Sequence, residues 1–573
     1  MSSEPTPESP FPSADDVPGA EDAMFSADPM ALFRALADAG AALLANPAAV
    51  AAANLRMSMG LLAATRAAAD RTLGGDTPGP VAPATGDNRF SDEAFSENPA
   101  YFLMQQQYLL SCQMVYELLD AAGLDKAEDA KARFGAKFVL DSLSPTNTVL
   151  GNPAAVREAL ETNGMSLVRG ATNMLDDMRD NGGWPSQVDA SGFELGVNMA
   201  ATAGSVVFRN ELIELIEYAP QTATVHAVPL LFCPAWINKY YISDLAPGKS
   251  LIEWALQHGQ RCFAISYRNP DSSMRDLSFE DYLLQGPEEA VRVIREITGA
   301  PQVNTVSICL GGTLTAIQLA RNAANGDDSI KSATLLNTHT DFSNPGTLGV
   351  FTSEETIDGL EKQMDKEGYL AGDQMAHVFD ALRANDLIFN YVANNWLLGK
   401  KPPAFDLLVW NKDSTRMPAK MHTRYLRSCY QNNEFARGEF EFNGQKLDPR
   451  KVTVDTYLLS AIDDHIVPWV SGYKTSQLFS GHNRYVLSNS GHIAGIVNPP
   501  NPKCRRWFLE GELPADPLEW KERAELFEGS WWEDWATWIA QQGGPLVDAP
   551  SHPGNADHPP TEAAPGSYVL DRA

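Results

Sequence analysis

Three side chains in this sequence have the types and the chain order needed for a nucleophile, a base and a group that orients the base. Cys309 follows a β-branched run, Val303 to Ile308, and precedes Gly311-Gly312 and the helix-forming stretch Thr313 to Ala324. That is a strand, a tight turn and a helix, with a thiol at the turn. A strained turn of this kind needs small neighbours two residues away. Gly311 meets this on one side, and Ser307 stands where glycine is usual on the other. An inert core cysteine between a strand and a helix would read the same over this stretch alone. Leu458 to His465 reads as a strand running out into a turn with two carboxylates, Asp463 and Asp464. Asp464 is the better acid and Asp463 the alternative. Val486 to His492 reads as a strand followed by a histidine displayed after Gly491, with His465 as a rival base. The chemistry open to such a set is acyl transfer, in which histidine takes the thiol proton and the thiolate attacks a carbonyl.

The elements around these residues must place all three at one edge of a sheet. From about residue 193 the pattern alternates. Val206 to Tyr218 reads as antiparallel strands, Val228 to Cys233 and Arg261 to Tyr267 as buried strands, Leu251 to His258 and Pro287 to Ile297 as helices, and Ser332 to Asn337 as another strand. Alternating strands and helices predict a parallel sheet with its chemistry at the C-terminal strand ends. Nucleophile, acid and histidine in that chain order match the α/β-hydrolase arrangement, in which the backbone N–H of Leu310 supplies half of an oxyanion hole. Residues of about 341–447 break the rhythm and read mostly helical, in the place where such enzymes carry a cap or lid. A subdomain serving only packing or dimer contacts is the other reading of that insertion.

The first third carries helical spacing and no strand pattern. The segment 1–27 is rich in Pro, Ser and acidic residues and is expected to be disordered. Asp28 reads as an N-cap with Pro29 at the first helical position. The expected organisation is a tail at 1–27, a helical N-terminal domain at 28–192, a catalytic domain at 193–542 and a tail of doubtful order at 543–573. Trp531, Trp535 and Trp538 share one helical face, expected to be core. Lys and Arg total 44 against 73 Asp and Glu, a formal charge of −29, which argues against nucleic acid and anionic membranes. No signal peptide is visible, no run approaches the roughly 18 apolar residues of a membrane helix, and the six cysteines form no CxxC pair. A cytoplasmic chain with free thiols is expected. No metal site, P-loop or dinucleotide fingerprint is present, so no cofactor is expected.

Several longer stretches carry a resemblance. They are Ser144-Pro145-Thr146-Asn147, Ile237-Asn238-Lys239-Tyr240-Tyr241, Ser266-Tyr267-Arg268-Asn269-Pro270-Asp271, Asn385 to Tyr391, Phe405 to Asn411, Asp464-His465-Ile466-Val467-Pro468-Trp469 and Ser490-Gly491-His492-Ile493-Ala494-Gly495. Through them the chain resembles the class I polyhydroxyalkanoate synthases from about Phe90 to Ala540. The resemblance implies catalytic roles for Cys309, Asp464 and His492, and oxyanion-hole N–H groups on Leu310 and Ile237. It implies a short-chain (R)-3-hydroxyacyl-coenzyme A substrate, a growing polyester chain, a homodimer, and attachment to polymer granules in the cytoplasm. Two departures stand out: Ser307 in place of the usual glycine, and Trp236 where relatives usually have cysteine. Lys239, Arg268 and Arg416 are candidates for the coenzyme A phosphates from their motifs alone. The alternative activity is a cysteine thioesterase of the same fold, which would release free acid.

Overall fold

The computed structural model describes residues 30–346 and 352–572. The segment 1–27 and the Asp28-Pro29 cap lie outside the described residues. The chain divides into two compact units, Met1–Asp189 with His377–Ala404, and Ala190–Ala376 with Phe405–Ala573.

The first unit is helical, and Asn-Pro pairs start three of its helices. Asn46, Asn98 and Asn152 each accept a hydrogen bond from a first-turn backbone N–H, and the proline that follows sits where an N–H would be unsatisfied anyway. These pairs begin Pro47–Thr72, Pro99–Ala122 and Pro153–Glu161. They also break patterns that look continuous in the sequence: the spacing from Met30 toward Ala69 divides into Met30–Leu44 and Pro47–Thr72. The helix Pro47–Thr72 turns small residues, Ala53, Ala64, Ala67 and Ala68, to the interior, and Arg56 on it pairs with Glu117 of Pro99–Ala122 at 2.8 Å. By length and composition alone it is long and apolar enough to cross a membrane, with 11% of the qualifying window buried. A helix of a soluble protein passes the same test, so this one is weak evidence of a membrane span. The insertion expected as one cap over 341–447 is likewise divided. Ala381, Ala384 and Ile388 pack with Phe138 and Trp184 of the first unit, and Arg89 reaches Asp87, Asp141 and Asn385 together.

The second unit is built on an 11-stranded sheet. In chain order its strands are β1 (Gly204–Arg209), β2 (Ile213–Tyr218), β3 (Leu230–Cys233), β4 (Cys262–Tyr267), β5 (Val303–Ile308), β6 (Ile330–Leu336), β7 (Asp455–Ala461), β8 (Asn483–Ser488), β9 (Arg505–Phe508), β10 (Glu525–Glu528) and β11 (Glu562–Ala563). Across the sheet they lie in the order β10-β9-β8-β7-β6-β5-β3-β4-β2-β1-β11. The six middle strands, β3 to β8, run parallel, and the flanks are antiparallel. The parallel strands β3, β4 and β5 are buried throughout, as strands covered on both faces must be.

The stretch after Gly543 is ordered, contrary to expectation. Leu546–Asp548 pairs with Thr224–His226, and β11 extends the sheet edge beyond β1. The reason lies on β2, where Glu214 and Glu217 are buried and need donors. The backbone N–H groups of Gly554, Ser567 and Tyr568 supply them. The tryptophan helix Trp531–Gln542 packs as predicted, with Trp531, Trp535 and Trp538 all buried.

Candidate active site

Cys309 sits between β5 and the helix Leu310–Asn325 with φ 51° and ψ −117°. A non-glycine residue held there stores roughly 1–3 kcal/mol of backbone strain, which the surroundings must hold in place. Three contacts do so. The Cys309 N–H donates to the Leu336 carbonyl at 2.9 Å, and its carbonyl accepts from Thr338 Oγ1 at 3.3 Å. The helix meets the end of β3 backbone to backbone, since a Cβ on Gly311 would lie 2.4 Å from the Cys233 carbonyl oxygen and 2.5 Å from that of Pro234. Ser307 is accommodated because its hydroxyl has a partner, Thr315 Oγ1, at 2.8 Å within the core.

Asp464 and His492 come to Cys309 from the ends of β7 and β8. His492 opens the short helix His492–Ile496, entered through Ser490 at φ 78°. Two tryptophans fix that helix, with Trp531 Nε1 donating to the Gly495 carbonyl at 2.8 Å and Trp532 Nε1 to that of Ile496 at 2.9 Å. His492 Nδ1 donates to Asp464 Oδ2 at 2.6 Å. The other oxygen of Asp464 accepts from the N–H groups of Ile466 and Val467 at 2.8 and 2.9 Å. The carboxylate therefore has one side committed to the backbone and the other to the ring. A carboxylate accepts only, so Nδ1 carries the proton and Nε2 is left for the sulfur. Burial works against charging His492, but Asp464 and Cys309 beside it prevail and raise the imidazole to about 10. Asp463 is exposed, and among the described residues only its backbone N–H is engaged, donating to the Ser490 carbonyl.

Leu310 follows Cys309 directly, and Ile237 lies on the loop that leaves β3 at Cys233. Neither backbone N–H has an acceptor among the described residues. Next to Ile237, Trp236 is buried in an aromatic cluster, edge-on to Phe279 and to Tyr425 with ring centroids 5.9 and 5.4 Å away. Its Nε1 is buried with no hydrogen-bond partner among the described residues. Of the three basic candidates, Arg268 is paired with Asp271 at 2.6 Å. Lys239 is buried with its amine on the Asp571 carbonyl. Arg416 lies over the Tyr369 ring, 5.0 Å from its centroid.

Sequence reading did not single out the stretch after β6. Asn337, at φ 46°, donates to the His492 carbonyl at 2.5 Å. Thr338 holds the Cys309 carbonyl and fills the space against Gly312. His339 is buried, lowered by that burial to about 4, and its Nε2 lies 3.3 Å from the Ile466 carbonyl in the turn that carries Asp464. The available signal was the polar run Asn337-Thr338-His339-Thr340 directly after a buried strand.

Comparison with known proteins agrees with this architecture. Residues 86–255 match the family model described as Poly-beta-hydroxybutyrate polymerase (PhaC) N-terminus. Residues 228–499 match the alpha/beta hydrolase fold. A poly(3-hydroxyalkanoate) polymerase of Methylorubrum extorquens is 44% identical over 88% of this chain and 84% of its own length. Poly(3-hydroxyalkanoate) polymerase 2 of Ectopseudomonas oleovorans is 42% identical, over 88% and 89%. The polymerase subunit PhaC of Cupriavidus necator is 40% identical, over 86% and 85%. With identity of this order across most of both chains, this protein belongs to the poly(3-hydroxyalkanoate) polymerase family.

Proposed function

We propose that this chain polymerises (R)-3-hydroxyacyl-coenzyme A thioesters into polyester, releasing coenzyme A, with the acyl group carried on Cys309. The observation that carries the reading is His492, hydrogen bonded through Nδ1 to a buried Asp464 and facing the strained Cys309 on its other side, in a chain of this family.

The attacking form of Cys309 is the thiolate, with the proton on His492 Nε2, a charged imidazole that the Asp464 carboxylate favours. Cys309 Sγ attacks the thioester carbonyl, and the oxyanion is met by the N–H groups of Leu310 and Ile237, each worth about 3 kcal/mol. The carbon–sulfur bond to coenzyme A breaks, and the departing thiolate takes the proton from His492 Nε2. The imidazole is now neutral and serves as the base for the second half. It takes the proton of a 3-hydroxyl as that oxygen attacks the acyl-Cys309 carbonyl. An ester bond forms, the sulfur leaves as thiolate, and the imidazolium is restored beside it. A thioester stays activated toward the next hydroxyl, which suits a cysteine better than a serine.

A homodimer and a polymer-granule surface belong to the same reading. In the first unit Leu55, Met59 and Leu62 are exposed at helical spacing, and an apolar polymer would cover such a face. The deciding experiment gives the purified protein 3-hydroxybutyryl-coenzyme A and follows two products together. A polymerase converts the acyl groups into chloroform-extractable polyester, carries a ladder of hydroxyacyl adducts on the Cys309 peptide, and sediments with the polymer it makes. Soluble 3-hydroxybutyrate equal to the released coenzyme A would make the protein a thioesterase.

A further inference from the structure

We infer that the segment Ser567–Arg572 braces the proposed oxyanion loop through Lys239, which makes Lys239 a positioning residue for the acyl-transfer step. The inference rests on the reading of Ile237 as an oxyanion donor. The loop that carries Ile237 leaves β3 at Cys233 and lies against the first turn of the Cys309 helix, so a small shift of it moves the N–H relative to the thioester carbon.

Three links hold this loop from the insertion side. Thr415 Oγ1 donates to the Trp236 carbonyl at 3.0 Å. Asn238 forms an antiparallel bridge with Ser414. Trp410 Nε1 donates to the Lys239 carbonyl at 2.8 Å. The fourth link comes from far along the chain. Lys239 is 3% exposed, and its ammonium donates to the Asp571 carbonyl oxygen. Asn269 Nδ2 reaches the same oxygen at 3.5 Å, and Asn269 Oδ1 accepts from the Arg416 N–H at 2.9 Å. Burial pushes the Lys239 ammonium below its ordinary value, against the pull of Asp413 and Asp571.

The segment that presents Asp571 is anchored well enough to act as a brace. Glu214, with no exposed surface, accepts from the Ser567 hydroxyl at 2.9 Å and the Tyr568 N–H at 3.0 Å. Tyr568 donates its hydroxyl proton to the Asn210 carbonyl at 2.7 Å, and Val569 is buried in the main core. A buried ammonium is costly unless its donors are satisfied, so the chain gains by keeping Lys239 and Asp571 together. Satisfying that charge holds the residue two positions beyond Ile237 in place. Lys239 is therefore committed to structure rather than to a substrate phosphate.

The test uses three variants of the full chain: Lys239→Met, a chain stopped after Leu570, and the two combined. Two rates are read on each, coenzyme A release from 3-hydroxybutyryl-coenzyme A and inactivation by iodoacetamide. Alkylation displaces iodide at a saturated carbon and builds no oxyanion, so it reports the thiolate–imidazole pair alone. Each single variant should lower kcat about tenfold to a hundredfold, less than the roughly 10²- to 10³-fold cost of removing an oxyanion donor outright, with KM little changed and alkylation as in the native chain. The combined variant should be no slower than the slower single one, because both remove the same link. Native turnover in both single variants, multiplying losses in the combined one, or alkylation falling in parallel with turnover would each overturn the inference. If iodoacetamide leaves the native chain active, the nucleophile reading itself fails, visibly and before any variant is made, and this inference falls with it.

Discussion

Asp464→Asn tests the site most sharply, because the structure dictates how the new amide must sit. Asp464 offers one oxygen to two fixed backbone donors, Ile466 and Val467, and the other to His492 Nδ1. An asparagine has one acceptor and one donor end. If its oxygen keeps the two backbone N–H groups, its NH2 faces the imidazole and Nδ1 must become an acceptor. The opposite orientation sets the NH2 against two N–H groups that cannot rotate away. The first is the lesser evil, and it puts the imidazole proton on Nε2, where a base needs its lone pair. Losing one charged, buried hydrogen bond costs about 1.5–3 kcal/mol, and tenfold in rate is about 1.36 kcal/mol. Acylation, whose nucleophile is a thiol, should therefore slow roughly 10- to 150-fold on that basis. Elongation must deprotonate a hydroxyl and meets the tautomer penalty in full, up to about 10⁴-fold. Rapid-quench kinetics should then show a first release of coenzyme A followed by a much slower steady state. Losing the carboxylate also removes the main influence raising His492, so iodoacetamide should inactivate the variant more slowly than the native chain at neutral pH. Asp463→Asn should behave as the native chain. Equal slowing of both steps, or a damaged Asp463→Asn with an active Asp464→Asn, would refute the reasoning.

Two further outcomes follow from the same geometry. His492 is raised from 6.5 to about 10 in the folded chain, so the folded state holds the extra proton across that window and the unfolded state does not. Its stabilising contribution is complete below pH 6.5 and is lost as pH rises through about 10; denaturant midpoints of the native chain and His492→Gln should converge over that interval, and a constant gap would contradict the shift. Cys309→Ala should abolish turnover with little change in fold, while Cys309→Gly, equally inactive, should unfold at least as high as the alanine variant because φ 51° suits glycine better; a glycine variant clearly less stable than the alanine one would mean that the turn is not strained.

The candidate site was legible in the linear sequence because it depends on local signals. A β-branched run closing on Cys309-Leu310-Gly311 reads as a strand, turn and helix from residue types alone, and so do the strand ends before Asp464 and His492. Chain order then limited the partners, and the buried faces of the parallel strands identified the sheet. Asn-Pro pairs were equally local, yet the helical periodicity on either side masked the breaks they impose at Pro47 and Pro99.

What only the tertiary structure decided concerns groups far apart in sequence that satisfy one another. Sequence reading prefers Asp464 and keeps Asp463 as the alternative; the ring that faces Asp464 and the two N–H groups behind it are tertiary contacts. Asn337 to His339 gained a purpose only when β6 lay beside β5 and β7. The stretch after Gly543 reads as a loose tail, because its composition gives no amphipathic period. It is ordered by donors it brings to Glu214 and Glu217, more than 300 positions earlier. Hydrophobic periodicity records which face of an element is buried. It does not record which distant polar group a buried charge requires, and here that requirement shapes the chain around Cys309.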